Sequence, residues 1–382
     1  MTNTPFVSIV TPFFNTQEFL AECIESVLPQ TYRNWEYVLV DNQSTDGSSE
    51  IAQHYASRFP HKIRLIRTES FLTQVQNYNF ALTCISPSSK YCKFIQADDW
   101  LFPDCVRSMV EVGESHPTVG IIGAYELEGD EVSLDGLPYS TSELSGTEVC
   151  RLFFLKDQYF FGSPTSLLLR SELIRSRRPF YDERLAPFED GHVCFDLLKS
   201  WNFGFVHQLL TFSRRDNESI ISPMRRFMLT FLVQLEMLVR HGRDYLSEEE
   251  YNRCLYAKER NYFIFLCKCA LQGRSPEFWD FHRHGLATLD YVLDWPLLRH
   301  WMPSAILELA AEGFQTSDLA SLSSIGIVER LKIAAKVLLR LARVRFRIDG
   351  RLRRPTRLHQ PDGFGETNNT AITSSEPLKA TR

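Results

Sequence analysis

The 382-residue sequence predicts an α/β fold, a largely parallel sheet with helices on both faces, continued by a mainly helical C-terminal extension. Three observations predict it. Short apolar runs of strand length recur at residues 6–10, 37–40, 63–66, 91–95 and 119–122. Between them lie helical spacings, such as Leu20/Ile24/Val27/Leu28 and Ile51/Tyr55/Phe59. From about residue 223 the strand pattern stops, and stripes such as Phe227/Phe231/Leu235/Leu238 and Tyr262/Phe265/Leu266/Cys269 take over. Strands alternating with helices imply parallel pairing, and ligands of such sheets bind beyond the carboxyl ends of the strands.

The residues at those ends therefore carry the functional argument. After the first strand come Thr11-Pro12-Phe13-Phe14-Asn15, where Pro12 is expected to stop the ladder and shape a turn. After the second come Asp41-Asn42-Gln43-Ser44-Thr45-Asp46-Gly47, with Thr45 or Asp46 as the cap of the next helix. Asp41 at the rim has the chemistry to accept hydrogen bonds from a base or ribose; local turn chemistry is the other account of it. Thr73-x-x-Gln76 has the spacing of a capping box at the start of the third helix. The fourth strand ends in Gln96-Ala97-Asp98-Asp99, and Trp100, Leu101 and Pro103 lead into a helix. Two adjacent carboxylates repel each other and are hard to desolvate. Without nearby His or Cys they suit a hard ion such as Mg²⁺ or Mn²⁺, which commonly also binds a substrate's phosphates. A solvated Asp-Asp turn that caps the helix would need no ion.

Composition narrows the class. A net charge of −5 gives no global pull toward nucleic acid. Nine cysteines without a CxxC pair read as reduced thiols, and the CxC of Cys267 and Cys269 falls inside an apolar run that suits a core. The start of the chain lacks a signal-peptide pattern, and no run reaches the roughly 18 apolar residues that span a bilayer. A cytoplasmic protein, soluble or peripheral on the inner face of the cell membrane, is the expectation.

VSIVTPFFN, VLVDNQSTDGS, QVQNYNFAL and KFIQADDWLFPD, in this order and at this spacing, resemble family 2 glycosyltransferases of the GT-A fold, over roughly residues 5–220. The resemblance implies a mixed, Rossmann-like central sheet. It further implies inverting transfer of a sugar from a UDP-, GDP- or dTDP-sugar to a hydroxyl of a glycan or lipid-linked acceptor, with Mn²⁺ or Mg²⁺. By the same resemblance Asp99 binds the metal directly, while Asp98 stands nearer the ribose or the metal's waters. Gln96 occupies the place of an acid often found there. Pro12, Phe14 and Asp41 line the base and ribose pocket with Asn15 beside them, and Asn42 stands where many relatives have a second Asp. Gln76 replaces an Arg that approaches the diphosphate in many relatives. Asn77 and Asn79 match an NxN pattern that touches donor or acceptor.

The acceptor side is expected between about residues 124 and 221. Ala186-Pro187-Phe188-Glu189-Asp190-Gly191-His192 precedes the helical spacing Val193/Leu197/Trp201. Asp190 falls in that helix's first turn, where the dipole favours the anion that a general base must be. The resemblance assigns it proton abstraction from the acceptor hydroxyl; helix capping alone is the other account. Glu189 is expected to orient the turn or contact the acceptor, and His192 reads as a polar surface residue. Arg214 and Arg215 have forks suited to phosphate, or form a solvated basic turn.

The expected organisation is a catalytic domain over 1–222, a helical accessory region over 223–320, a basic amphipathic helix over 321–355 and a disordered tail over 356–382. Residues 325–357 carry eleven Lys or Arg against two acids, a charge pattern suited either to an anionic membrane surface or to packing on the catalytic domain. A catalytically silent glycan-binding or scaffold protein would keep the fold, and the departures at Asn42, Gln76 and Gln96 are what that alternative predicts.

Overall fold

The computed structural model describes residues 4–215 and 227–313. The expected boundary at 222/223, the basic helix over 321–355 and the tail over 356–382 lie outside the described residues. Strands and helices alternate as the apolar runs predict: β1 (Val7–Phe13), α1 (Leu20–Val27), β2 (Trp35–Asp41), α2 (Ser48–Arg58), β3 (Ile63–Arg67), α3 (Gln74–Thr83) and β4 (Tyr91–Phe94). Then come β5 (Trp100–Leu101), α4 (Cys105–Ser115), β6 (Val119–Glu128), β7 (Glu131–Ser133), β8 (Glu143–Leu144), α5 (Gly146–Lys156), β9 (Leu168–Arg170), α6 (Ser171–Arg175), α7 (Glu189–Leu197) and β10 (Asn202–Ser213). Among the described residues four helices follow, α8 (Thr230–Tyr245), α9 (Glu248–Gln272), α10 (Pro276–Ala287) and α11 (Trp295–Gly313).

The strands form one sheet in the order β3-β2-β1-β4-β9-β6-β10-β5, with β7 on β6 and β8 on β10. β1 pairs in parallel with β2 and β4, and β6 with β10. β9 runs antiparallel between β4 and β6, which makes the sheet mixed. Along β1 and β2 alternate side chains enter two cores. Val10, Val38 and Val40 pack with α3, α5 and α7, while Ile9, Tyr37 and Leu39 pack with α1, α2 and α4. Burial on both faces is why these strands read as continuous apolar runs rather than as alternating ones.

Pro12 does not stop the ladder. β1 continues through it to Phe13, paired with β2 as far as Asp41. Val10 offers its carbonyl to Ile95 on the β4 side, and Phe13 offers its own to Asn42 on the β2 side. By strand alternation the nitrogen of Pro12 faces the β4 side, where the β4 pairing has already ended at Phe94. The missing N–H therefore costs no ladder bond.

Among the described residues the chain divides into two compact units, one up to Leu266 together with Glu277–Val292, and one of Cys267–Pro276 together with the residues from Leu293 on. In the first, α8 and the start of α9 pack against α5 and α7. Arg151 makes a two-pronged ion pair with Glu250, and the Tyr245 hydroxyl donates to the Phe195 carbonyl. Gly146 lets α5 begin against the carbonyls just past α7: a Cβ there would sit 2.0 Å from the Leu198 oxygen. In the second unit Cys267 donates to the Leu298 carbonyl, and both Cys267 and Cys269 are buried. No helix among the described residues is long and apolar enough to cross a membrane.

Candidate active site

The acid pair lies just past β4. Asp99 is only 3% exposed. One carboxylate oxygen accepts from the Thr165 hydroxyl at 2.6 Å and the Ser213 hydroxyl at 3.4 Å, and the other accepts from the Arg214 backbone N–H at 3.1 Å. Two distant segments, the loop of Thr165 and the end of β10, thus meet on one carboxylate. Burial first, then the charge of Asp98, pushes the Asp99 carboxyl well above its usual range; Thr165 and Arg214 oppose the shift and Glu126 adds to it. Asp98 is the more accessible of the pair.

Glu126 is a second buried acid beside Asp99, one that the sequence reading missed. It accepts from Ser166 at 2.7 Å and from Ser213, and burial raises its carboxyl. The one hint was an acid interrupting an otherwise apolar strand. Lys93, fully buried, donates to the Thr165 and Leu167 carbonyls and so fixes the loop that carries Thr165.

Arg214 fastens the end of β10 to the acid loop. Its guanidinium donates to the Asp98 carbonyl at 3.2 Å, pairs with Glu22 at 2.6 Å and lies 4.7 Å from the Phe19 ring centre. Arg215 pairs with Glu128 and Glu131 on the β6–β7 hairpin. Both forks thus have carboxylate partners within the protein.

Around β1 and β2, Phe14 (39% exposed) meets Phe71 (56% exposed) edge-on, with ring centres 4.9 Å apart. Asn15 takes a left-handed φ of 50° and accepts from the Thr45 N–H at 2.8 Å. Asp41 is buried; it accepts from the Ser44 N–H at 2.8 Å and from the Ser49 hydroxyl, with Arg67 3.6 Å away. Asn42 clamps the loop after β3: its amide donates to the Leu72 carbonyl and accepts from the Leu72 N–H, each at 2.9 Å.

On α3 the capping box forms as its spacing predicts, Gln76 accepting from the Thr73 N–H and Thr73 from the Gln76 N–H. Asn77 is buried, and its carbonyl oxygen has no partner among the described residues. Asn79 makes a reciprocal amide pair with the backbone of Tyr181, at 2.9 and 2.8 Å, which ties α3 to the segment leading into α7.

Asp190 stands in the first turn of α7 and accepts from the Gly191 N–H at 2.7 Å. Its carboxyl is pushed up to about 7, by burial first and then by the charge of Glu189. Desolvation and the neighbouring acid outweigh the helix dipole, which favours the anion. His192 is not a surface residue. It is buried, and its Nδ1 lies 2.8 Å from Nε2 of His241 on α8; burial and this neighbour hold its imidazole down to about 3. Forty-nine positions separate the two rings, so the partner is invisible locally.

Buried tyrosines feel the acids of both regions. Burial first, then Asp190 and, more weakly, Glu126, raise the Tyr159 phenol well above its range. Burial likewise raises the Tyr78 phenol, and both Asp98 and Glu189 add to that shift. Among the described residues there is no cluster of three or more His, Cys, Asp or Glu able to hold a metal alone. The donor set instead fits a hard divalent ion held by one or two carboxylates and completed by phosphate oxygens.

Residues 8–178 match the model of glycosyl transferase family 2. These residues form a family 2 glycosyltransferase domain. Relatives include the putative glycosyltransferase EpsE of Bacillus subtilis (strain 168), 33% identical over 136 residues, 36% of this chain and 48% of that protein. The putative teichuronic acid biosynthesis glycosyltransferase TuaG of the same organism is 31% identical over 112 residues, 29% of this chain and 43% of that protein. The chain thus spans about half the length of the first of these curated relatives and less of the second. Among solved structures, S. aureus TarS 1–349 in complex with UDP-GlcNAc superposes with a TM-score of 0.54 at 15% identity, covering 74% of this chain and 80% of that one. TarS itself gives 0.53 at 14% identity, covering 79% and 53%. At these identities the likeness establishes the fold, and the glycosyltransferase domain has the mixed GT-A sheet.

Proposed function

We propose that the chain is an inverting glycosyltransferase that moves a sugar from a nucleoside-diphosphate donor to a hydroxyl of a glycan or lipid-linked acceptor. We place it in bacterial surface polysaccharide synthesis, which the teichuronic acid biosynthesis in TuaG's name supports, and at the cytoplasmic side of the membrane. The observation that carries this reading is the pair of acid centres in one compact unit, Asp98 and Asp99 past β4 within the matched residues and Asp190 at the start of α7 just beyond them. Asp98 and Asp99 would hold a Mn²⁺ or Mg²⁺ ion. When bound, such an ion neutralises charge on a departing diphosphate.

The chain's own residues do the rest. Phe14, Asn15 and Asp41 bind and orient the base and ribose at the ends of β1 and β2. Asn42, clamped on Leu72, shapes that pocket's wall rather than reading the base. Gln76 caps α3. Asp190 takes the proton of the acceptor hydroxyl as that oxygen attacks the anomeric carbon. Transfer assays with UDP-, GDP- and dTDP-sugars and p-nitrophenyl glycosides as acceptors, with and without Mn²⁺, test the proposal. Transfer with at least one donor is the expected result. Silence across the panel combined with tight glycan binding would favour a scaffold instead.

A pH profile follows from Asp190. A base must be unprotonated, and this carboxyl loses its proton only near pH 7. We expect kcat/KM to rise about tenfold per pH unit below that point and to level off above it. A profile already flat from pH 5 upward would remove Asp190 as the base.

A further inference from the structure

We infer that the hydrogen bond between His192 and His241 makes α8 a positioning element for Asp190, an inference that rests on Asp190 being the base. Asp190 accepts from the Gly191 N–H within its own turn, so the place of its carboxylate is set by how α7 sits. Met237, His241 and Tyr245 stand four apart on α8 and share one face. That face meets α7 along its length. A Cβ on Gly191 would lie 3.0 Å from the Met237 methyl. Nδ1 of His192 stands 2.8 Å from Nε2 of His241, whose ring also stacks on that of Phe195 with centres 5.2 Å apart. The Tyr245 hydroxyl donates to the Phe195 carbonyl.

The bond between the rings has a direction. Nδ1 of His241 faces Asp196, 3.7 Å from its Oδ1, and a carboxylate there draws the ring's hydrogen to that nitrogen. Nε2 of His241 is then bare and accepts, while Nδ1 of His192 carries the hydrogen and donates. Both rings are buried, and burial first of all holds the imidazoles down, at about 3 for His192 and about 4 for His241. Near neutrality the bond therefore does not titrate.

Apolar contacts alone would let α7 slide or turn against α8 at little cost. A buried hydrogen bond of one length and one direction fixes both. Two residues apart on a helix, Asp190 and His192 project roughly 200° apart. Pinning His192 on α8 thus turns Asp190 the other way, and Asp190 is only half-buried where His192 is buried. Displacing a reacting group by about 1 Å can cost about 10²-fold in rate. Since α8 lies outside the matched residues 8–178, the helical extension supplies part of the acceptor side.

The test uses the full chain, with initial rates for the productive donor and acceptor and hydrogen exchange of a peptide spanning residues 188–196. His241→Leu deletes the acceptor and keeps an apolar contact. It is expected to lower kcat by about ten- to hundredfold and to leave the KM of the nucleotide sugar unchanged. Amide exchange in the peptide should quicken by about three- to tenfold, the worth of one neutral hydrogen bond. His192→Leu should match it, and the double variant should be no slower than either. His241→Gln puts an amide oxygen where Nε2 stood, and His192→Asn puts an amide N–H where Nδ1 stood; each should restore most of the rate. Melting curves check that every variant folds, and rates are read well below the lowest melting point. Should a Leu variant not fold, His241→Asn, too short to reach His192, takes its place against His241→Gln. Wild-type kcat in the variant without the bond overturns the inference, as does a loss that Gln fails to restore. Failure of the transferase reading shows differently, as wild-type protein that transfers no sugar while exchange still separates Gln from Leu.

Discussion

Asp190→Asn is expected to lower turnover by about 10²–10⁴-fold, the usual worth of general-base assistance, with nucleotide-sugar affinity little changed. Asn keeps the size of Asp and an oxygen for the Gly191 N–H, but it cannot take a proton at neutral pH. The same substitution alters stability in a direction set by linkage. Folded Asp190 holds its proton up to about pH 7, against an ordinary value of 3.8. The folded state therefore binds the proton more tightly than the unfolded chain. The resulting stabilisation is complete below the ordinary value and is lost as pH rises through about 7. The Asn variant lacks that titration, so its melting temperature should fall less across this window. Single-turnover kinetics and thermal scans at several pH values check both halves. Unchanged turnover would refute the assignment of Asp190.

Removing either acid past β4 should abolish Mn²⁺-dependent nucleotide binding, but the two variants should part company in stability. The affinity loss should exceed the roughly 10–100-fold typical of residues that only support a metal's ligands. Asp98→Asn relieves the repulsion that raises the Asp99 carboxyl. A gain of about 1 kcal/mol would lift the melting temperature of a domain this size by roughly 2–4 °C. Asp99→Ala instead strands the Thr165 hydroxyl and the Arg214 N–H, at about 1–3 kcal/mol for each buried group left unpaired. Titration calorimetry and melting curves, each with and without Mn²⁺, separate these outcomes. Binding that ignores Mn²⁺ in wild-type protein would exclude the metal role of both acids.

Much of the sheet was legible because β1, β2 and β4 are buried on both faces and so announce themselves as apolar runs. β9 was not: three residues running backwards between β4 and β6 leave no periodicity to read. At the site, legibility followed sequence distance. Thr73 and Gln76 sit three apart, and their capping box could be read locally. Thr165 lies 66 positions from Asp99, Ser213 lies 114 away and Arg214 lies 115 away. Only the strand order brings them together, which is why Glu126 and Thr165 went unnoticed. His192 was misread for the same reason, since a polar side chain looks exposed until its buried partner is known. Pro12 failed in a different way. The rule that proline ends a ladder is blind to which neighbouring strand has already stopped.

The clamp between Asn42 and Leu72 bears on how this chain could have diverged. An amide serves both the Leu72 carbonyl and the Leu72 N–H; a carboxylate can serve only the second and would press its charge on the first. Asn42→Asp would therefore loosen the hold on the loop after β3. Position 42 and the loop carrying Leu72 are thus coupled, and an Asp at 42 would be accommodated only if that loop changed with it.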